Sequence, residues 1–339
     1  MEDWRKCIEG WENENQAFIL FANPGSETIY LLHNLVEVET KEDSKFVYAP
    51  FSEKQKSFYF SGDLKSFQLK RHSELELALP VTFLAVNPLY AKAFREALQE
   101  LKSENIQKVV LSRIHTESAS QKSFLPLVLE LLEFYPMHAV HWLVHPEIGE
   151  WLGASPELLL EQFPNLNLKT MSLAGTQPVS EEWTEKEKEE QQIVTDYIKN
   201  IWTKENVKNI EISNVYDLKS GPIKHLKTDF KGEYAGPLNK LLREMHPTPA
   251  VAGLPLNKSV EAIERIESHK REFYAGYFGW KQNGHSRYYV NLRCLNRQNG
   301  EVHFFVGGGL TSKSDLEREW IETEEKRATL YHFWRRNEN

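Results

Sequence analysis

Two periods of hydrophobic alternation run along this chain. In the first third, short runs rich in aromatic and β-branched residues predict strands over 17–22, 28–33, 45–50 and 81–86, bounded by turn residues such as Asn23-Pro24-Gly25. Apolar residues at helical spacing predict helices over 89–102 and 124–134. Period-two segments predict further strands over 108–114, 139–145, 150–154, 157–161 and 168–174. A charged helix is expected from about 181 to 202, with Ser180 as its cap and Glu181 and Glu182 in its first turn. The last third is the most sharply patterned. Strands are predicted over 274–281, 288–295 and 301–306, joined by turns at Asn283-Gly284 and Asn299-Gly300, the strongest short hairpin signal a sequence carries. A helix from 316 to about 334 closes the chain. Strands joined by hairpins, with helices inserted in blocks, predict an α+β fold built on antiparallel sheets. No repeat or Pro/Gly/Ser linker divides the chain, so a single domain over 1–339 is expected, mostly β over 1–88 and carrying its chemistry over 89–339.

Composition narrows the function classes. The chain is 40% hydrophobic and 27% charged, as in soluble globular proteins. A net charge of −8 argues against nucleic acid as a partner, because neutralising phosphates takes a basic surface. It leaves a small anionic substrate open, since a local pocket can reverse the global sign. Two distant cysteines, Cys7 and Cys294, suit a reducing compartment and offer no disulfide framework. The first residues are polar and acidic, unlike a signal peptide, and no apolar run approaches the ~20 residues of a membrane helix. A cytoplasmic location without membrane partners is therefore expected. There is no G-x-G-x-x-G after a strand and no Walker-type loop to suggest a nucleotide cofactor.

Several residues could carry chemistry, each with a plainer reading beside it. Glu187 and Glu190 share one helix face, and Glu319, Glu322 and Lys326 share another. Such runs are usually solvated faces laced with ion pairs; alternatively, two helices present carboxylates to one pocket, as hard oxygen ligands for Mg²⁺. Gly175-Thr176 and Gly307-Gly308-Gly309 are each expected to end a strand in a turn, either as a tight connection or as a close approach of backbone N–H groups to an anion. Lys108 opens a strand and alone reads as a rim residue with its amine in water; inside a closed site, desolvation would favour the basic form. Glu157, after Ser155-Pro156, alone reads as a turn carboxylate. Arg293, inside a predicted strand, must be paired or point outward, and its planar fork suits a carboxylate.

In order along the chain, the segments 108–113, 151–160, 172–176, 187–194, 246–251, 271–280, 290–294 and 307–326 resemble the chorismate-utilising enzymes. That family includes isochorismate, salicylate and aminodeoxychorismate synthases and the large subunits of anthranilate synthases. The resemblance implies large antiparallel β-sheets packed as a sandwich with helices on the outside. It implies chorismate as substrate and Mg²⁺ as cofactor, held by Glu190 and Glu322 with Glu187 and Glu319 in support through water. Lysine at position 108 resembles the water-using members, in which it is the base, whereas amine-using relatives typically have glutamine. Ala174 stands where aminodeoxychorismate synthases typically carry a nucleophilic lysine.

The implied activity is that of an isochorismate synthase of menaquinone or siderophore biosynthesis. Lys108 would take a proton from water attacking C2 while Glu157 protonates the departing C4 hydroxyl. Arg293, Tyr274 and N–H groups near Gly308 would hold the enolpyruvyl carboxylate, Gly175 and Thr176 would line the ring, and His225 and Lys326 would lie close. The nearest alternative is a salicylate synthase, which also eliminates pyruvate; an anthranilate synthase would need a glutamine amidotransferase partner. No obligatory protein partner and a monomer are implied. Two positions depart from the family pattern: Gln191 replaces a frequent histidine, and Gly307-Gly308-Gly309 replaces a common Gly-Ala-Gly.

Overall fold

The computed structural model describes residues 4–40, 43–69, 81–103, 105–220 and 223–338. Helix α1 (Trp4–Asn13) leads into β1 (Phe18–Ala22), β2 (Thr28–Glu37), β3 (Phe46–Ala49) and β4 (Phe58–Gln68). There follow α2 (Pro88–Lys102), β5 (Lys108–Ser118), α3 (Leu125–Phe134), β6 (Ala139–His145), β7 (Gly149–Ser155), β8 (Leu158–Gln162), β9 (Asn167–Pro178) and α4 (Glu185–Lys204). The chain continues through β10 (Lys208–Ile212), β11 (Tyr216–Ser220), β12 (Ile223–Glu233), α5 (Leu238–Met245), β13 (Gly253–Leu254) and α6 (Leu256–Ile266). It ends in β14 (Tyr277–Gln282), β15 (His285–Val290), β16 (Cys294–Gln298), β17 (Glu301–Leu310) and α7 (Leu316–Glu338).

Every described ladder is antiparallel. Pairing runs unbroken from β10 and β11 through β12, β9, β8, β15, β14 and β3 to β4, then through β2, β1, β6, β7, β16, β17 and β5 to β13. Strand β4 is the corner, since Phe60 pairs with Phe46 of β3 and with Glu37 of β2. There Gly62 lets the strands touch, because a Cβ would lie 2.5 Å from the His33 carbonyl oxygen. Strand β1 shows how the sheet buries both faces. Ile19 and Phe21 join the main core with Phe46, Leu143 and Trp151, while Phe18, Leu20 and Ala22 face a second core under α1, α3 and the end of α7.

Two short segments carry the chain from one part of the sheet to the other. Pro156-Glu157 links β7 to β8, and Asn291-Leu292-Arg293 links β15 to β16. They lie side by side: the amide of Val290 donates to the Glu157 carbonyl at 3.1 Å, that of Ala154 donates to the Arg293 carbonyl at 3.1 Å, and the Ser155 hydroxyl donates to the Val290 carbonyl at 2.6 Å.

Both Asn-Gly turns form as expected, with all four residues at positive φ. Several predicted boundaries fail for identifiable reasons. Residues 81–86 form no strand; their backbone bonds to α7 instead, the Leu84 amide to Glu324, the Leu84 carbonyl to the Trp320 indole and the Thr82 carbonyl to Arg327. Helix α4 starts at Glu185, capped by Thr184 rather than Ser180, because Thr184 and Glu187 form the reciprocal capping box. The expected strand over 274–281 begins at Tyr277, since Glu272 and Ala275 take positive φ in the preceding turn. The strand over 288–295 is broken at the crossover, where Arg293 has φ 47°. The three glycines do not form a terminal turn: Gly307, Gly308 and Gly309 are paired inside β17 with Ser112, Leu111 and Val110 of β5.

Candidate active site

A pocket opens beside the two crossovers, lined by Glu157, Ala174, Gly175, Thr176, Glu190, His225, Tyr274, Arg293, Gly307, Gly309 and Lys326 among others. Strand alternation sorts the glycines. Gly307 and Gly309 face the pocket, whereas Gly308 faces α7, where a Cβ would meet only Glu319 and Glu322 at 3.5 and 3.6 Å.

Lys108 is not a rim residue. Its side chain is 0% exposed, and Nζ lies 2.9 Å from Oε1 of Glu190. Gly309 makes this pair possible, because a Cβ there would sit 2.0 Å from the same Glu190 oxygen and 3.0 Å from Cε of Lys108. Burial pushes the Glu190 carboxyl up, but Lys108 and then Lys186 outweigh it and hold it below its ordinary value. Helix α4 is aimed by Gln191. Its carbonyl accepts the Ala174 amide at 2.9 Å, and its amide donates to the hydroxyls of Ser172 at 2.8 Å and Thr228 at 3.1 Å. Gly175 is the extra residue of a bulge between β9 and β12, at φ 70°, packed on the Glu187 backbone.

Glu157 behaves oppositely to Glu190. It is 4% exposed, and burial lifts its carboxyl to about 8, against the smaller pull of Lys108 and Lys326. At neutral pH it is largely protonated and can donate. One wall of the pocket is a hydrogen-bonded row. Thr176 Oγ1 lies 3.1 Å from His225 Nδ1, and the Arg293 guanidinium donates to His225 Nε2 at 2.9 Å and to His138 Nε2 at 3.1 Å. Burial depresses both imidazoles well below their ordinary values, so they accept from Arg293 without adding charge. Burial also brings the guanidinium down to about 10, which leaves it cationic. The Tyr274 ring stacks on Phe305 at 5.6 Å, with its hydroxyl against Gly307.

The four candidate metal carboxylates do not behave alike. Glu187 is turned back to cap its helix, accepting from the Thr184 amide at 3.1 Å and from the Thr184 hydroxyl. Glu190, Glu319 and Glu322 remain, each beside a lysine: Lys108 at 2.9 Å, Lys186 at 2.5 Å and Lys326 at 2.7 Å respectively. Lys326 also donates to the Gly307 carbonyl at 3.0 Å. Glu319 Oε2 is buried without a hydrogen-bond partner. Burial, with repulsion from Glu322, lifts the Glu319 carboxyl to about 7. An orphaned carboxylate oxygen beside one repelling carboxylate is a donor set that fits a divalent cation. Among the described residues no three acidic or imidazole groups already converge as ligands; Mg²⁺ commonly needs only one or two protein carboxylates.

Sequence reasoning passed over His138 and Lys186. Nothing local marks His138. Lys186 did leave a signal, a cation in the first turn of a helix, where the macrodipole favours anions.

Among the described residues no helix is long and apolar enough to cross a membrane. The chain is 29% identical over 246 residues to isochorismate synthase EntC of Escherichia coli strain K12, covering 66% of this chain and 61% of that protein. It thus spans about three fifths of that relative's length. Two solved structures share the fold. The protein assigned as 2,3-dihydroxybenzoate-specific isochorismate synthase DhbC in Bacillus anthracis superposes with a TM-score of 0.81 at 22% identity, covering 98% of this chain and 100% of that one. The menaquinone-specific isochorismate synthase MenF of Escherichia coli gives 0.77 at 17% identity, covering 94% and 88%. The family model for chorismate binding enzymes matches residues 25–333, and the chain belongs to that family.

Proposed function

We propose that this protein is a Mg²⁺-dependent isochorismate synthase, converting chorismate to isochorismate by adding water at C2 and losing the C4 hydroxyl. The observation that carries this reading is the pairing of two buried groups. Glu157 is held as a neutral acid, and Lys108 is closed from water with its Nζ 2.9 Å from Oε1 of Glu190.

Lys108 takes a proton from the attacking water, and Glu190, 2.9 Å away, stabilises the ammonium that results. As the C2–O bond forms, the C1=C2 and C5=C6 double bonds move to C1=C6 and C4=C5, the C4–O bond breaks, and Glu157 delivers its proton to the departing hydroxyl. One water enters and one leaves, so the reaction is an isomerisation. Arg293, steadied by His138 and His225, takes the enolpyruvyl carboxylate as a planar two-pronged donor. Glu190 and Glu322, supported by Glu319, would hold Mg²⁺. Bound there, it supplies positive charge for the ring carboxylate in a protein whose net charge is −8. Lysine at 108 supports water rather than an amine as the nucleophile.

The test is incubation with chorismate, with Mg²⁺ or excess EDTA, and chromatography of the products. Isochorismate accumulating beside chorismate only with metal is expected. Salicylate and pyruvate would move the protein to the lyase-competent branch, and a product formed only with ammonia would overturn the water reading.

A further inference from the structure

Lys186 occupies a position that helix energetics disfavour. It lies in the first turn of α4, two residues after the Thr184 cap, between Glu185 and Glu187. Its amine reaches Glu319 on α7 at 2.5 Å, and the attraction it feels comes from Glu322, Glu319 and Glu190, the carboxylates argued above to serve the metal. The ammonium satisfies only one oxygen of Glu319, leaving the other buried and unpartnered. Unlike Lys108, which is 0% exposed, Lys186 is 19% exposed and keeps a route to solvent.

We infer that Lys186 is a tethered counter-cation that holds Glu319 while the metal is absent and yields it when the metal binds, thereby setting the divalent-cation concentration the protein requires. This rests on the metal reading. The argument is one of charge. Glu319 and Glu322 repel each other without a cation, and an ammonium supplied from α4 relieves that repulsion in the metal-free protein. The same ammonium repels an arriving divalent ion and competes with it for Glu319. Removing its charge therefore weakens the metal-free fold and strengthens the metal complex together. A lysine that merely ties α4 to α7 would produce only the first effect.

The experiment is Mn²⁺ titration of the full chain, followed by the electron paramagnetic resonance of free Mn²⁺, with and without chorismate, for wild type, K186M and K186R. Thermal unfolding with and without Mn²⁺ accompanies it. Methionine keeps the unbranched stem and removes the charge. K186M is expected to bind Mn²⁺ about tenfold more tightly, to unfold at a lower temperature without metal and to gain more from it than wild type. K186R is expected to keep wild-type affinity. Should K186M not fold, K186Q carries the same expectation. Folded neutral variants that bind Mn²⁺ no more tightly than wild type would overturn the inference and leave the metal site standing. Mn²⁺ bound by none of the proteins, with or without chorismate, would remove the metal reading and the inference with it.

Discussion

Glu157 and Arg293 stand on adjacent crossovers of the sheet, tied together through the 3.1 Å hydrogen bond from the Val290 amide to the Glu157 carbonyl. The carboxyl and the guanidinium are thus fixed by backbone rather than by side-chain packing alone. Glu157→Gln keeps the shape and hydrogen-bonding capacity of the protonated acid but cannot give up a proton. Turnover should fall by about 10²-fold or more, with the thermal transition at pH 7 unchanged or raised.

The same residue sets a pH limit. Its folded value, about 8, lies above its ordinary one, so the stability it contributes is complete at low pH and is lost as pH rises through about 8. Forward turnover should decline as pH rises through about 8, as the acid ionises. In Glu157→Gln the loss of stability between about pH 4.5 and 8 should shrink. A wild-type profile flat to pH 9.5 would show that Glu157 is not the proton donor.

Lys108 and Glu190 form a buried pair, and breaking one side should cost more than removing both. Lys108→Met leaves Glu190 with only Lys186 and Lys326 nearby and should destabilise by about 3 kcal/mol, while Lys108→Met with Glu190→Gln should recover part of that loss. Neither variant should turn over chorismate. Denaturant unfolding of the single and double variants, analysed as a cycle, measures the coupling.

Much of this arrangement was legible in the residues. The Asn283-Gly284 and Asn299-Gly300 turns announced their hairpins, because only that chemistry supplies two consecutive positive φ angles cheaply. The order of motifs pointed to the pocket residues, which the fold brings together from the two crossovers, β9, α4, β12, β17 and α7. What local pattern could not show was which partner each segment meets. Residues 81–86 have strand-like composition, yet α7 side chains satisfy their backbone. The glycine triplet reads locally as a turn, but its small residues serve close packing against Glu190, Tyr274 and Ser112 inside a strand. Burial of Lys108 depends on contacts more than eighty positions away in sequence, which alternation along one strand does not encode.

The two functional groups of the Gln191 side chain clamp α4 to β9 and β12 through Ala174, Ser172 and Thr228. Gln191→Leu would leave the Ala174 amide without its acceptor and strip Ser172 and Thr228 of a donor. A loss of about 2–3 kcal/mol is expected. Because the clamp sets the position of Glu190, one residue earlier, the concentration of Mg²⁺ needed for half-maximal turnover should also rise. Chemical unfolding and a magnesium titration check the two effects separately, and a stability loss without any change in metal requirement would confine Gln191 to holding the helix.

The glycine triplet makes the sharpest test of the site, because neighbouring substitutions have opposite expectations. At Gly308 an added Cβ would find its nearest atoms at 3.5 Å, an ordinary contact. Gly308→Ala should retain activity, with stability within about 0.5 kcal/mol of wild type. At Gly309 the same atom would lie 2.0 Å from Glu190 Oε1, so the Lys108–Glu190 pair must separate or β17 must move away from α4. Gly309→Ala should therefore abolish measurable turnover and weaken metal binding. At Gly307 the clash is with the Tyr274 hydroxyl at 2.8 Å and does not reach Glu190, Glu319 or Glu322, so chorismate KM should rise while metal affinity holds. Measuring kcat, KM and metal affinity across the three alanine variants separates these outcomes. If Gly308→Ala and Gly309→Ala were equally impaired, the facing of β17 described here would be wrong.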